Sequence, residues 1–207
     1  MKQSKTTSSP ESRDRIKQAA REVFLQKGLD AAKSHEIAAL AGTNPGLISY
    51  YFKSKEKLFD LVLEEVMNEF ILKVEAVANN SATNFEQKVY ALVDCYSTMV
   101  LESPYLPLYS LNVIRRGQKG VVRYTKQMRN MLHRSVMSGQ FKQEIQAGKY
   151  KPATIALVLM NLLGLTIFPA IASPIIQNMG DTKPEEYERL IRSRQPQIAE
   201  WVLFTLS

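Results

Sequence analysis

The sequence is poor in the residues that form covalent cross-links or metal sites. Its 207 residues include one cysteine, Cys95, and two histidines, His35 and His133. A single thiol excludes an intramolecular disulfide framework and is typical of a reducing compartment, so we predict a cytoplasmic protein. Two imidazoles and one thiol are too few for a usual zinc site, and we predict no metal and no other cofactor.

The sequence also lacks the short motifs of common enzymes and of secreted proteins. It contains no GxxxxGK[ST] phosphate loop, no GxGxxG fingerprint and no GxSxG nucleophile elbow. No set of nucleophile, base and oxyanion donors converges in it, so we do not predict an enzyme. The first twelve residues have no apolar stretch, so we do not predict a signal peptide.

One long segment has no charge at all. Residues 152–180 contain no Asp, Glu, Lys or Arg. About 20 apolar residues suffice to cross a bilayer, so length alone permits a membrane helix. Asn161 near the middle and the interrupting Pro169 and Pro174 favour a helix buried in a core or a subunit interface. We therefore predict no membrane partner and keep a membrane-tethered protein, anchored by residues 153–176, as an alternative.

Positive charge is in excess, and most of the excess lies near the start of the chain. The formal net charge is +7. Residues 1–57 hold eleven Lys/Arg against six Asp/Glu, whereas residues 58–207 hold sixteen against fourteen. This distribution favours a polyanion partner for the first part. A second basic stretch, residues 115–142, lacks acidic residues and fits either a solvated face or an anion contact.

Apolar spacing predicts one helix after another and no strands, so the expected fold class is all-α. A helix over residues 12–27 is expected to be capped by Ser12 and ended by Gly28, and a second covers residues 34–41. A third begins at Asn44-Pro45, where Asn44 is the N-cap and proline suits the first helical position. These three helices are predicted to form a helix-turn-helix DNA-binding domain over residues 12–57, after a disordered polar tail over residues 1–11.

The remaining residues, 58–207, are predicted to form a larger helical domain. Its expected helices are residues 55–77, 85–101, 123–145, 153–176 and 184–206, the first of which starts before the domain boundary. Pro196 is expected to kink or split the last of them.

The glycine-containing turn between the second and third helices follows the helix-turn-helix plan. Ile37, Leu40 and Ala41 are expected to pack against Ile48 and Phe52, which leaves the opposite face of the third helix exposed. The residues predicted to contact base edges are Pro45, Gly46, Leu47, Ser49 and Tyr50. The residues predicted to contact phosphates are Ser34, His35, Thr43, Tyr51, Lys53 and Lys55.

The run IAALAGTNPGLISYYFKSKEKLF resembles the recognition segment of the TetR family of bacterial transcriptional regulators, which reads approximately I-A-x-x-A-G-V-S-x-G-x-L-Y-x-Y-F-x-S-K-E-x-L. The matching positions are Ile37, Ala38, Ala41, Gly42, Gly46, Tyr51, Phe52, Ser54, Lys55, Glu56 and Leu58. The sequence departs from the pattern before the second helix, where Ala32-Lys33-Ser34 replaces Thr/Ser-Thr/Ser-Val. His35 replaces the usual Arg of that helix, and Ser49 replaces the frequent first Tyr.

The resemblance implies a homodimer in which the second domain, residues 58–207, serves for effector binding and dimerisation. It implies a repressor that binds palindromic double-stranded DNA and is released by a small-molecule effector, with an activator of the same fold as the alternative. The need to span two successive major grooves independently supports a dimer. The predicted interface, on the last two helices, comprises Leu157, Met160, Leu163, Gly164, Ile198, Trp201 and Val202.

A stripe of methionine and aromatic residues predicts an effector pocket, because such side chains form adaptable apolar sites. The same stripe also fits an ordinary helical core. Its members are Tyr96, Met99, Tyr105, Leu108, Tyr109, Met128, Met131 and Leu132.

Overall fold

The computed structural model describes residues 10–115, 126–127, 129–131 and 133–207. Within these residues the secondary structure is helical and includes no strand, which confirms the all-α prediction. The chain divides into two compact units, one ending at Glu69 and the other beginning at Phe70. Most of the predicted tail lies outside the described residues, but Pro10 and Glu11 already belong to the first helix.

The first unit is formed by three helices and the beginning of a fourth. These are α1 (Pro10–Ala31), α2 (Ser34–Leu40), α3 (Gly46–Phe52) and α4 (Lys55–Asn79). The predicted cap at Ser12 is wrong, because α1 begins two residues earlier and Ser12 is buried inside it. Gly28, predicted to end the helix, instead interrupts α1 three residues before its end, with φ 72° and ψ −174°, a conformation that glycine adopts without steric cost.

The boundary between the units falls inside α4, twelve residues beyond the predicted position after residue 57. The first half of α4 completes the core of the first unit, where Leu58 and Val62 are buried. The rings of Phe24 and Phe59 meet edge to face at 5.0 Å between centroids. This packing explains why the compact unit extends past the three predicted helices.

The second unit contains the end of α4 and seven further labelled helices. These are α5 (Phe85–Glu102), α6 (Leu106–Arg115), α7 (Val136–Gln146), α8 (Ile155–Ile171), α9 (Ser173–Gly180), α10 (Pro184–Ser193) and α11 (Gln195–Phe204). Residues 126–127, 129–131 and 133–134 are also helical. Helix α5 is the centre of the unit and packs against α8 and α11, so its Val89, Leu92 and Val93 are buried.

Two predicted helices are divided in the structure. The predicted helix 123–145 is interrupted at Ser135, whose backbone is extended and whose hydroxyl accepts a hydrogen bond from Ser138 N at 3.1 Å. This local cap starts α7 and is invisible to apolar periodicity; residues 123–125, 128 and 132 lie outside the described part. The final helix is split at Arg194, as Pro196 predicted, into α10 and α11.

The uncharged segment forms α8 and α9, which meet at an angle of 65°. Within the described ranges, no single helix is long and apolar enough to cross a bilayer, and only this bent pair reaches the required length. Leu159 and Leu162 on α8 are buried, and Tyr187 of α10 donates a hydrogen bond to Pro169 O. The apolar character of α8 therefore serves in part to fill the core of the second unit.

Candidate nucleic-acid interface

The turn between α2 and α3 is a Schellman motif centred on Gly42. Gly42 has φ 62°, in the left-handed region that favours glycine. Its N–H donates to Ala39 O at 3.1 Å, and Thr43 N donates to Ala38 O at 2.8 Å. These two bonds satisfy the carbonyls at the end of α2 and fix the direction in which the chain enters α3.

The start of α3 is held by the predicted asparagine cap. Asn44 Oδ1 accepts a hydrogen bond from Gly46 N at 2.8 Å, which satisfies one of the free N–H groups of the helix end. A Cβ atom on Gly46 would lie 3.3 Å from that same oxygen. The glycine therefore lets the cap approach closely, and it leaves backbone exposed at the first turn of α3.

The two faces of α3 differ as the sequence predicts. Ile48 and Phe52 are 2% and 6% exposed and pack into the first unit. The opposite face presents Pro45, Gly46, Ser49 and Tyr50, all exposed, with Leu47 half-buried beside them. On α2, Ile37 and Ala41 are buried as expected, but Leu40 is 52% exposed, so its predicted packing role is wrong.

Four of the predicted phosphate contacts lie where solvent reaches them. Ser34 and Tyr51 are half-buried, and His35 and Lys53 are exposed. The Tyr51 ring meets the Tyr50 ring edge to face at 5.0 Å. Lys53 ends α3 with φ 70°, an uncommon value for a residue other than glycine.

Two further predicted phosphate contacts point elsewhere. Lys55 Nζ donates to Leu29 O and Ala32 O, both at 2.9 Å, and so binds one carbonyl near the end of α1 and one just after it. The hydroxyl of Thr43 is buried and has no hydrogen-bond partner among the described residues. The predicted phosphate contacts of Lys55 and Thr43 are therefore corrected, because the polar atoms of both side chains face the interior of the first unit.

An ion pair reduces the exposed negative charge beside α2. Lys27 Nζ lies 2.9 Å from Glu36 Oε1, and Glu36 also accepts from Lys33 N. The hydrogen bond from Lys27, followed by that from Lys33, lowers the pKa of Glu36. No acidic residue occurs from residue 37 to residue 55, so α3 and its flanks carry only positive side-chain charge.

The second unit exposes an apolar face on α8 and α11, hereafter the α8/α11 face. From the predicted interface, Met160 is 69% exposed, Trp201 47% and Leu157 43%; Gly164 is exposed and Leu163 half-buried. Ile198 and Val202 are corrected, since at 2% and 0% exposure they belong to the core that α11 forms with α5. The sequence reasoning missed two exposed aromatic residues on these helices, Phe168 and Phe204, which are 66% and 79% exposed.

A groove of about 490 Å³ opens on the α8/α11 face. It is lined by Met160, Asn161, Gly164, Leu165, Trp201, Val202 and Thr205. Asn161 Nδ2 donates to Thr205 Oγ1 at 3.4 Å, so the one amide of this apolar helix reaches α11 at the groove.

A small cavity in the second unit contains two members of the predicted effector pocket. It is lined by Phe70, Ile71, Val74, Glu75, Tyr96, Gln127 and Met131. Met99 is buried but does not line it, whereas Tyr105 and Leu108 are exposed and Tyr109 is half-buried, so the predicted stripe is divided. Met128 and Leu132 lie outside the described residues. The sequence analysis did not predict the lining residues from α4 or Gln127. Glu75, a charged residue beside the apolar Ile71 and Val74, could have indicated the α4 part of the lining.

A three-helix helix-turn-helix unit followed by a larger all-helical unit is the architecture of one class of helix-turn-helix proteins. Residues 16–62 match the family of bacterial regulatory proteins of the tetR type. The HTH-type transcriptional repressor NicS of Pseudomonas putida is 45% identical over 58 residues, covering 28% of this chain and 27% of that protein. The chain thus matches about a quarter of the length of this relative.

Two solved structures resemble nearly the whole chain. A TetR/AcrR-family regulator from Thermobifida fusca has a TM-score of 0.64 at 20% identity and covers 92% of this chain and 96% of its own. The Bacillus subtilis regulator FadR, in complex with stearoyl-CoA, has a TM-score of 0.59 at 20% identity, covering 92% and 97%. Residues 16–62 therefore resemble the tetR family of bacterial regulatory proteins, and the chain shares the fold of these two structures. The names of these relatives agree with the non-enzymatic class that the sequence predicts.

Proposed function

We propose that this chain is a transcription regulator that binds double-stranded DNA through α2 and α3. The observation that carries the proposal is the exposed face of α3, whose small or flat groups can approach base edges in a major groove. Tyr50, 70% exposed, is its largest side chain, and exposed Lys53 at its end can neutralise phosphate charge. The absence of acidic residues from this stretch of sequence avoids repulsion of the DNA backbone.

The protein acts as a homodimer that pairs through the α8/α11 face. Contiguous exposed apolar surface of this kind is the usual mark of a protein interface. A two-fold symmetric dimer presents two copies of α3, which read half-sites about 34–36 Å apart on one face of the duplex. The operator is therefore palindromic, and each half-site meets the same side chains.

Regulation is proposed to come from a small molecule bound in the cavity of the second unit. Helix α4 starts in the first unit and carries Ile71, Val74 and Glu75 of the cavity lining. A ligand that binds the DNA-incompetent state more tightly lowers operator affinity by that difference in affinity. We propose repression as the outcome, supported by the repressor NicS; an activator differs only in where the operator lies relative to the promoter.

Selection of bound fragments from a random DNA library tests the DNA-binding and dimer proposals together. The expected result is enrichment of a two-fold symmetric sequence, and sedimentation of the free protein as a dimer. Tyr50→Ala should weaken or broaden the selection, whereas Tyr90→Ala, at an exposed tyrosine of α5, should leave it unchanged. A monomer that selects no sequence at low ionic strength would reject the proposal.

A further inference from the structure

The cavity of the second unit contains two oxygen acceptors without donors. Among the described residues, no hydrogen bond or ion pair reaches the carboxylate of Glu75, which is half-buried at the cavity. Gln127 Oε1 is buried and likewise has no hydrogen-bond partner within the described part of the chain. Buried acceptors in proteins normally accept a hydrogen bond, so a ligand that carries a donor would satisfy both acceptors at once.

The remaining described lining of the cavity is apolar or aromatic. Phe70 and Tyr96 form an edge-to-face pair with 5.0 Å between centroids, and Ile71, Val74 and Met131 complete the walls. The described lining residues include no Lys, Arg or His that could bind an anion. The negative charge of Glu75 and the faces of the two aromatic rings both favour a cation over an anion.

The geometry points to a small organic cation, with an apolar body and an ammonium N–H donor, as the ligand class of this cavity. The ammonium donates to Glu75 and Gln127 Oε1, and the apolar body lies against Phe70 and Tyr96. This inference rests on the proposed effector role of the cavity. It separates this protein from FadR, whose bound stearoyl-CoA carries negatively charged phosphates.

The cavity must widen to admit such a ligand. Its volume of about 10 Å³ corresponds to about one water molecule. Met131 is the lining residue best able to move, because an unbranched thioether with three rotatable bonds repacks readily. Binding therefore selects a more open arrangement of this wall, which is how a ligand can shift the population of conformers.

Three probes with the same ring test the charge preference on the full-length protein. Benzylammonium, benzyl alcohol and benzoate are titrated at pH 7 by calorimetry. For ligands of this size we expect a Kd on the order of 1 mM for benzylammonium. Benzyl alcohol should bind about fivefold to tenfold more weakly, and benzoate should show no binding over the same range. Equal or tighter binding of benzoate, or no binding of benzylammonium, overturns the inference.

Two substitutions locate the site and separate charge from hydrogen bonding. Glu75→Gln keeps the shape and should weaken benzylammonium by about tenfold while changing benzyl alcohol less than about twofold. Gln127→Leu removes the second acceptor and should weaken both probes. Glu102→Gln, at an exposed glutamate that ends α5, is the matched control and should change neither. Unchanged benzylammonium binding by a folded Glu75→Gln protein overturns the inference.

DNA affinity, measured separately by fluorescence anisotropy on the selected operator, distinguishes this inference from the proposed function. If benzylammonium binds in a Glu75-dependent way but leaves operator affinity unchanged, the ligand class stands and the effector role fails. If an anionic compound binds this unit and releases DNA, the effector role stands and the ligand class fails.

Discussion

The two units of the molecule expose different kinds of surface. Among the described residues, the large apolar side chains exposed in the first unit are Leu40 and Tyr50, whereas thirteen are exposed in the second. The exposed residues of α3 are polar, small or flat, while α8 and α11 present Met160, Phe168 and Phe204. The first surface suits a hydrated polyanion, and the second suits another apolar protein surface.

Within the first unit, positive side chains differ in their surroundings. In the first unit, Lys17 binds Glu65 at 3.0 Å and Arg21 binds Glu69 at 2.6 Å, so these cations join α1 to α4. Lys53 remains exposed at the end of α3. Some positive residues of this compact unit thus form ion pairs within the fold, whereas Lys53 is exposed to solvent. Variants can test this division directly.

The largest effect is expected when a charge is introduced into the apolar α8/α11 face. Met160→Glu places a carboxylate in the proposed dimer interface, where burial of an unpaired charge is strongly unfavourable. We expect dissociation to monomers in sedimentation experiments, with operator affinity reduced by about 100-fold or more. Leu72→Glu, at a residue 60% exposed on α4, is the matched control and should remain dimeric. A dimeric Met160→Glu protein would place the interface elsewhere.

A smaller but clear effect is expected from Lys55, whose ammonium group forms hydrogen bonds within the first unit. Lys55→Met removes two charge-assisted hydrogen bonds and leaves the carbonyls of Leu29 and Ala32 without that donor. The free energy of unfolding should fall by about 2 kcal/mol, measured by urea denaturation. Lys57→Met, at an exposed lysine of the same helix, should change it by less than about 0.5 kcal/mol. Equal losses for both variants would show that the two bonds contribute nothing specific.

These two lysines illustrate what the sequence could and could not reveal. Apolar spacing predicted the buried Ile48 and Phe52 and hence the exposed face of α3, because periodicity reports which side of a helix is buried. The task of Lys55 depends on carbonyls 26 and 23 residues earlier in the chain, which no local pattern contains. The motif match at Lys55 therefore located an important residue but suggested the wrong partner.

The second unit shows the same limit more strongly. Lys88 is fully buried within α5, where its ammonium donates to Thr83 Oγ1 at 2.9 Å, and burial lowers the pKa of its amine. Glu75 and Gln127 line the cavity although polar residues are usually expected outside. Ile198 and Val202 have the apolar character of interface residues but face α5. Residue type cannot distinguish a core from an interface when both are apolar.

A modest effect is expected from Lys53, the exposed cation proposed to contact DNA phosphates. Lys53→Gln removes one positive charge from an exposed side chain at the end of α3, so DNA binding should weaken about equally for all sequences. The slope of log affinity against log salt should decrease in magnitude by about one. Lys151→Gln, at an exposed lysine that follows α7, provides a control of equal charge and should leave that slope unchanged. Altered base preference in Lys53→Gln would instead indicate a role in recognition.

The smallest effect is expected from an ion pair on the second unit. Lys149 Nζ lies 3.0 Å from Glu86 Oε1, and the hydrogen bond from Lys149, followed by that from Tyr150, lowers the pKa of Glu86. A lowered pKa in the folded state stabilises the protein above the ordinary carboxyl range, and the contribution is lost as pH falls through the lowered pKa. Because the Glu86 side chain is 42% exposed, solvent screening limits the contribution to about 0.5 kcal/mol.

Glu86→Gln isolates this contribution. The difference in free energy of unfolding between the natural and substituted proteins should be present at pH 7 and shrink toward zero at acid pH. Glu185→Gln, at an exposed glutamate of α10, corrects for the loss of one negative charge. A difference that grows on acidification would have the opposite sign from that required by a lowered pKa. We expect this ion pair to change the free energy of unfolding only slightly, whereas Met160→Glu is expected to dissociate the dimer. Together the two results would show that apolar contact matters more than surface charge in the second unit.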